Sequence, residues 1–170
     1  VEVRSALLNE PVFRRFPRAR LRAILEAIED ELRSETKQSQ VERAGFPIEH
    51  VLPRQWHDHW PVNSPEQADD RQAHVHRLGN LTLLTTSLNS KVSNGPWASK
   101  RKEFLKHSSI NMTGRLVERT EQVQWSEELI DARTEELIDA IFRIWPVPAG
   151  HTGEVVDPQA KTGDWVQLKH

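Results

Sequence analysis

The sequence predicts a mostly helical α+β fold, and three observations carry that expectation. Two stretches repeat apolar residues at helical spacing between recognisable end signals. Two short apolar stretches, around Ile48 and around Leu81, are bracketed by Pro or Gly as strands are. No apolar run approaches the ~18–20 residues of a membrane span, so a soluble, cytoplasmic protein without membrane contact is expected. The 170 residues suit one domain with appendages. The first residue is Val1 and no signal peptide follows, which suggests a piece of a longer polypeptide.

Taken in order, the elements have the following grounds. Pro17 stands near the start of a helix, where its missing N–H costs nothing, and Leu21, Ile24, Leu25, Ile28 and Leu32 form one apolar stripe. Phe46 to Pro53 reads as a short strand. Ser64-Pro65-Glu66-Gln67 has the form of a capping box, so a helix should run to about His74. Leu81 to Leu84 reads as a second strand, followed by a helix from about Thr86 to Ser93 that Asn94-Gly95-Pro96 breaks. A further helix is expected from Ala98 to Lys106. The last begins after Ser126, an N-cap with Glu127 and Glu128 behind it, and ends at Pro146. These divide the chain into an N-terminal helical segment, 1–45, a core with its C-terminal helix, 46–145, and an extended tail, 146–170, with a short strand around Trp165 to Leu168.

The formal net charge of −2 argues mildly against nucleic acid, but the charge is uneven. Arg14, Arg15, Arg18, Arg20 and Arg22 crowd into one stretch without an acid. From Arg71 to His107 seven Lys and Arg face the single acid Glu103, and from Leu116 to Trp145 eight acids face three arginines. Phosphate responds to the local field, so the basic middle matters more than the sum. The chain has no cysteine, which excludes disulfides, thiolate nucleophiles and cysteine-ligated zinc.

The chemistry concentrates in Glu49-His50-Val51-Leu52-Pro53, in Leu78-Gly79-Asn80-Leu81-Thr82-Leu83-Leu84 and in Asn89-Ser90-Lys91. A buried strand has no structural need of a Glu-His pair, whose burial is costly unless it serves proton or metal chemistry. The pleat sends neighbouring side chains to opposite faces, so joint action at one centre requires a strand end or bulge. Pro53 makes such an end plausible.

These strings resemble the HNH, or ββα-metal, endonucleases. More narrowly, IEHVLP, LGNLTLL and LNSKVSN resemble the C-terminal nuclease domain of GmrSD-type modification-dependent restriction enzymes, found also in SspE-like phage-defence proteins. A Trp-x(4)-Ile-x(2)-Arg element, here Trp125, Ile130 and Arg133, fits the same family. The resemblance implies a small ββα-metal core braced by flanking helices. It implies a metal-dependent DNA endonuclease or nickase, the effector of a restriction or phage-defence protein, with an N-terminal NTPase or ParB-like sensor domain as partner.

Carried over residue by residue, the resemblance makes His50 the general base that deprotonates water, a task suited to an imidazole of ordinary pKa about 6.5. Asn80 orients His50. Glu49 and Asn89 hold one divalent metal, Mg²⁺ or Mn²⁺ by the hardness of their oxygen donors. Lys91 and Lys100 are candidates for phosphate contacts. Glu49 stands where many relatives have Asp, and Asn89 where many have His.

Other readings remain open at this level. The motif could persist in an inactive nucleic-acid-binding or interaction module, or act on RNA. His57-Asp58-His59 and His74-Val75-His76 could offer zinc four imidazoles, though residues two apart diverge on a helix. Trp56, Trp60 and Trp97 are expected in the core more than stacked on bases. The run from Arg14 to Arg22 could meet a DNA backbone or an adjoining domain.

Overall fold

The computed structural model describes residues 2–150, apart from 41, 43, 44, 90, 91, 93, 108, 122 and 149. The expected α+β, mostly helical fold is what the chain adopts. Helices α1 (Glu2–Asn9), α2 (Val12–Arg15) and α3 (Arg18–Glu35) lead into strand β1 (Ile48–His50). Helix α4 (Pro65–His74) and a 3-10 turn (Leu78–Asn80) precede β2 (Leu81–Leu83). Helices α5 (Thr86–Asn89), α6 (Trp97–His107), α7 (Asn111–Arg119) and α8 (Glu127–Ile144) complete the described chain.

Local signals set several boundaries. Ser64 Oγ accepts the Gln67 amide at 3.3 Å, and Gln67 Oε1 in turn accepts the amide of Asn63, one residue ahead of the cap, at 2.8 Å. Ser126 Oγ accepts the Leu129 amide at 3.4 Å and so starts α8. The first strand is shorter than expected, and the helix expected from about Thr86 to Ser93 forms over Thr86–Asn89, the residues at 90, 91 and 93 lying outside the described ones. The strand expected near Trp165 lies outside the described residues. Three helices, α1, α2 and α7, lack a sequence-level start signal. The last of these is capped from a distance: buried Glu29 on α3 accepts the amides of Asn111 and Met112 at 2.9 and 2.8 Å. A carboxylate at a helix N-terminus satisfies orphan donors and complements the dipole, whichever segment supplies it.

The two strands pair antiparallel, with Ile48 opposite Leu83, Glu49 opposite Thr82 and His50 opposite Leu81. Strand alternation gives this ribbon two different faces. Leu81 and Leu83 join Leu21, Leu25 and Ile28 of α3 and Leu137 and Ile138 of α8 in one core. Thr82 points the other way, where its hydroxyl lies 2.8 Å from that of Thr113 on α7. A second core gathers Trp56, Trp60, Trp97 and Trp125 with Val51, Leu52, Leu84 and Phe104. Trp56, Trp60 and Trp97 are therefore in the core, as expected, and Trp125 joins them.

Helix α8 packs on the 3-10 turn, α3, α1 and α4. It approaches the turn so closely that a Cβ on Gly79 would stand 2.0 Å from the Ile130 carbonyl oxygen and 2.4 Å from Thr134 Oγ1. Only glycine fits, and the Gly79 amide donates to Thr134 Oγ1 at 3.0 Å. No helix among the described residues is long and apolar enough to cross a membrane.

Candidate active site

His50 ends β1, and the segment after it is held by Asn80. The Val51 amide donates to the Asn80 carbonyl at 2.9 Å. The Asn80 side chain then clamps Leu52 from both sides, accepting its amide at 2.7 Å and donating to its carbonyl at 2.9 Å. Its amide nitrogen also donates to the Val75 carbonyl at 2.8 Å, and its oxygen accepts Trp125 Nε1 at 3.1 Å. Every hydrogen-bonding capacity of this buried amide is used. Asn80 thus fixes the backbone that leaves His50 and makes no described contact with the imidazole.

The Trp125, Ile130, Arg133 element braces the same turn. Buried Arg133 donates from Nη1 to the carbonyls of Gly79 and Leu81, at 2.6 and 2.7 Å. Burial pushes its guanidinium pKa down to about 9. Its Nη2 finds no partner among the described residues. Three residues spread over α8 and its approach therefore converge on Gly79-Asn80-Leu81.

The Glu49 and His50 side chains leave the ribbon on opposite faces, as the pleat requires. His50 is buried, with Nε2 3.3 Å from His76 Nδ1, so one imidazole donates and the other accepts. Phe13 of α2 packs against both imidazoles: its ring meets His50 edge-on at 4.2 Å and lies nearly parallel to His76 at 5.7 Å. The Phe13 amide donates to the His76 carbonyl at 3.2 Å. Burial, then the charge of His76, then Arg54, Lys100 and Arg18 push the His50 pKa down to about 3. Burial, with Arg14, Arg54 and Arg18, brings His76 to about 4. Both imidazoles are neutral at pH 7 and able to accept a proton.

On the opposite face, Glu49 Oε1 receives a 2.6 Å bond from Lys100 Nζ, which also donates to the His50 carbonyl at 2.7 Å. Lys100 is 2% exposed, so the expected phosphate contact gives way to an internal one. A buried ammonium requires a counter-charge, and here Glu49 and a carbonyl absorb it. Burial still draws the Lys100 pKa below its ordinary value, with the Glu49 charge and hydrogen bond opposing. Asn89 lies on α5, but its side chain, like Lys91, lies outside the described residues.

Among the described residues no three His, Asp or Glu side chains converge to hold a metal ion. The histidine pairs do not meet at one point: His76 faces His50, His74 lies 2.7 Å from the Asp70 carbonyl oxygen, and His57 and His59 are exposed. Glu49, 18% exposed at its side chain, is a hard carboxylate beside solvent. One carboxylate with an amide oxygen, water and phosphate is a donor set that Mg²⁺ takes, so the chemistry of these residues fits such an ion.

His76 and Phe13 were not singled out by the sequence as partners of His50. His76 lies just ahead of the LGN string, a faint signal, whereas Phe13 is 37 positions from His50 and carries none.

The family model for GmrSD restriction endonucleases, C-terminal domain, matches residues 2–140. No curated protein and no solved structure matches the chain.

Proposed function

The chain belongs to the GmrSD restriction endonuclease C-terminal domain family, and from that premise we propose that it is an HNH-type, metal-dependent DNA endonuclease or nickase. In this reading it is the effector of a restriction or phage-defence system and answers to an N-terminal NTPase or ParB-like sensor domain in the cytoplasm. The observation that carries the reading is a neutral, buried His50 at a strand end, fixed by the Asn80 clamp and ringed by cations.

His50 serves as the general base. Its Nε2 is engaged by His76, which leaves Nδ1 as its other ring nitrogen. Burial first, and then the surrounding cations, hold its basicity low; an anionic phosphodiester seated beside it counters the cationic part and favours the imidazolium. The base is thus strengthened when substrate arrives, toward the pKa range in which proton transfer is efficient. Asn80 is a positioning residue, acting through the Leu52 backbone. Glu49 and Asn89 would hold the divalent ion, Mg²⁺ or Mn²⁺, with Lys100 setting the Glu49 carboxylate. When bound, that ion supplies positive charge to the phosphate and to the leaving oxygen.

Nicking of supercoiled plasmid tests the reading. Wild-type chain in Mn²⁺ or Mg²⁺ should convert it to open or linear forms, EDTA should stop the reaction, and His50→Ala should abolish it while keeping the helical circular dichroism. Undiminished cleavage by His50→Ala would remove His50 from the chemistry. Binding without cleavage, unchanged by His50→Ala, would favour the inactive module.

A further inference from the structure

Two of the three arginines around the imidazole pair belong to parts of the chain far from the motif. Arg18, the first residue of α3, lies with its guanidinium carbon 3.4 Å from the centre of the Phe13 ring, the ring that contacts both His50 and His76. Arg14 follows Phe13 on α2, and Arg54 follows His50 by four residues on the segment that Asn80 anchors. All three side chains are exposed. The charges of Arg14, Arg54 and Arg18 all reach His76.

None of the three forms an ion pair with a carboxylate among the described residues, although neighbouring Arg15 pairs with Glu10 at 2.6 Å. Glu49, the acid nearest in sequence to His50, leaves on the other face of the ribbon and is taken by Lys100. Three like charges gathered beside the Phe13, His50 and His76 rings repel one another. An anion placed among them relieves that repulsion. Guanidinium groups offer paired donors that match the two non-bridging oxygens of a phosphodiester.

We propose that Arg14, Arg18 and Arg54 form the seat for the DNA phosphodiester presented to His50, so that the N-terminal helical segment grips the backbone. This rests on the nuclease reading above and specifies where its substrate lies. It also gives α2 a role: with the amide and ring of Phe13 against His76, the helix holds Arg14 next to these rings and offers the Phe13 ring on which Arg18 rests.

The test is binding of a fluorescent duplex oligonucleotide to the 170-residue chain in EDTA across a salt series, beside plasmid nicking in Mn²⁺. Because Arg18 also donates to the carbonyls of Phe13 and Phe16, the Arg14→Gln/Arg54→Gln double variant is compared with the triple variant that adds Arg18→Gln. Each arginine withdrawn from a phosphate should make the slope of log affinity against log salt shallower by about 0.9, and the double variant should bind about tenfold more weakly or worse. His50→Ala should bind with the wild-type slope and not cut. Affinity and slope unchanged in both arginine variants would overturn the seat, as would wild type failing to bind DNA. A wild type that binds with the predicted arginine dependence yet never cuts would overturn the nuclease reading and leave the seat standing. Polyglutamate held as tightly as DNA, with the same weakening in the variants, would overturn the phosphodiester in favour of an acidic protein segment.

Discussion

The Lys100 ammonium stands 2.6 Å from the Glu49 carboxylate, and the same ammonium reaches the carbonyl of His50. One buried cation from α6 thereby ties together the two residues that the motif places side by side and the pleat sends apart. This makes Lys100 a positioning residue, with a charge directed inward.

Replacing Lys100 by Met should strand the His50 carbonyl and leave Glu49 without its counter-charge. A cost of about 1–3 kcal/mol follows from an unsatisfied buried partner, softened because Glu49 can turn toward water. Urea unfolding would read it as a lower midpoint. A second Glu49→Gln substitution in the Met background should cost less than the two separate effects added together. Strict additivity would show that the pair is not coupled and would remove this role from Lys100.

Asn80 gives a different expectation. Its alanine variant leaves the Leu52 amide and carbonyl, the Val75 carbonyl and the Trp125 indole N–H without their partner, all in the interior. With ~1–3 kcal/mol for each group that water cannot reach, partly relieved by relaxation, a destabilisation of about 2–4 kcal/mol is expected. Asn80→Asp keeps the acceptor and forgoes both donated bonds, so it should not rescue. A variant that unfolds like wild type but fails to cut DNA would make Asn80 a participant in chemistry instead of a clamp.

Stability should also depend on pH in a defined direction. Folded His50 and His76 titrate near 3 and 4, whereas an unfolded histidine titrates near 6.5. Between about pH 4 and 6.5 the unfolded chain therefore binds more protons, and unfolding free energy rises with pH across that window. The contribution is fully present above 6.5 and is lost as the solution is acidified toward the folded values. Denaturant midpoints in chelated buffer should fall from pH 7 to pH 4.5, less steeply in His76→Gln. A flat profile over that range would contradict the buried, neutral pair.

The most legible parts of the sequence were those whose physics is local. The stripe from Leu21 to Leu32, the Ser64 and Ser126 caps and the two turn-bracketed strands each follow from spacing within a few residues, and each element formed. Helix α7 was not legible, because its cap is Glu29, 82 positions upstream of Asn111. The sequence makes Lys100 a candidate for a phosphate contact, since no local rule tells that a lysine will be enclosed.

By itself, the sequence determined the helical α+β class, the strings that carry His50, Glu49 and Asn80, and the family to which they point. Tertiary structure decided what those residues touch. Folding put Phe13 and His76 against His50, turned Lys100 inward to Glu49, set Trp125 and Arg133 on the Gly79-Asn80-Leu81 turn and laid Arg18 over the Phe13 ring. The reason is one of range. Propensity, capping and periodicity act within a few residues, whereas burial and charge pairing act between segments brought together only by the closed chain.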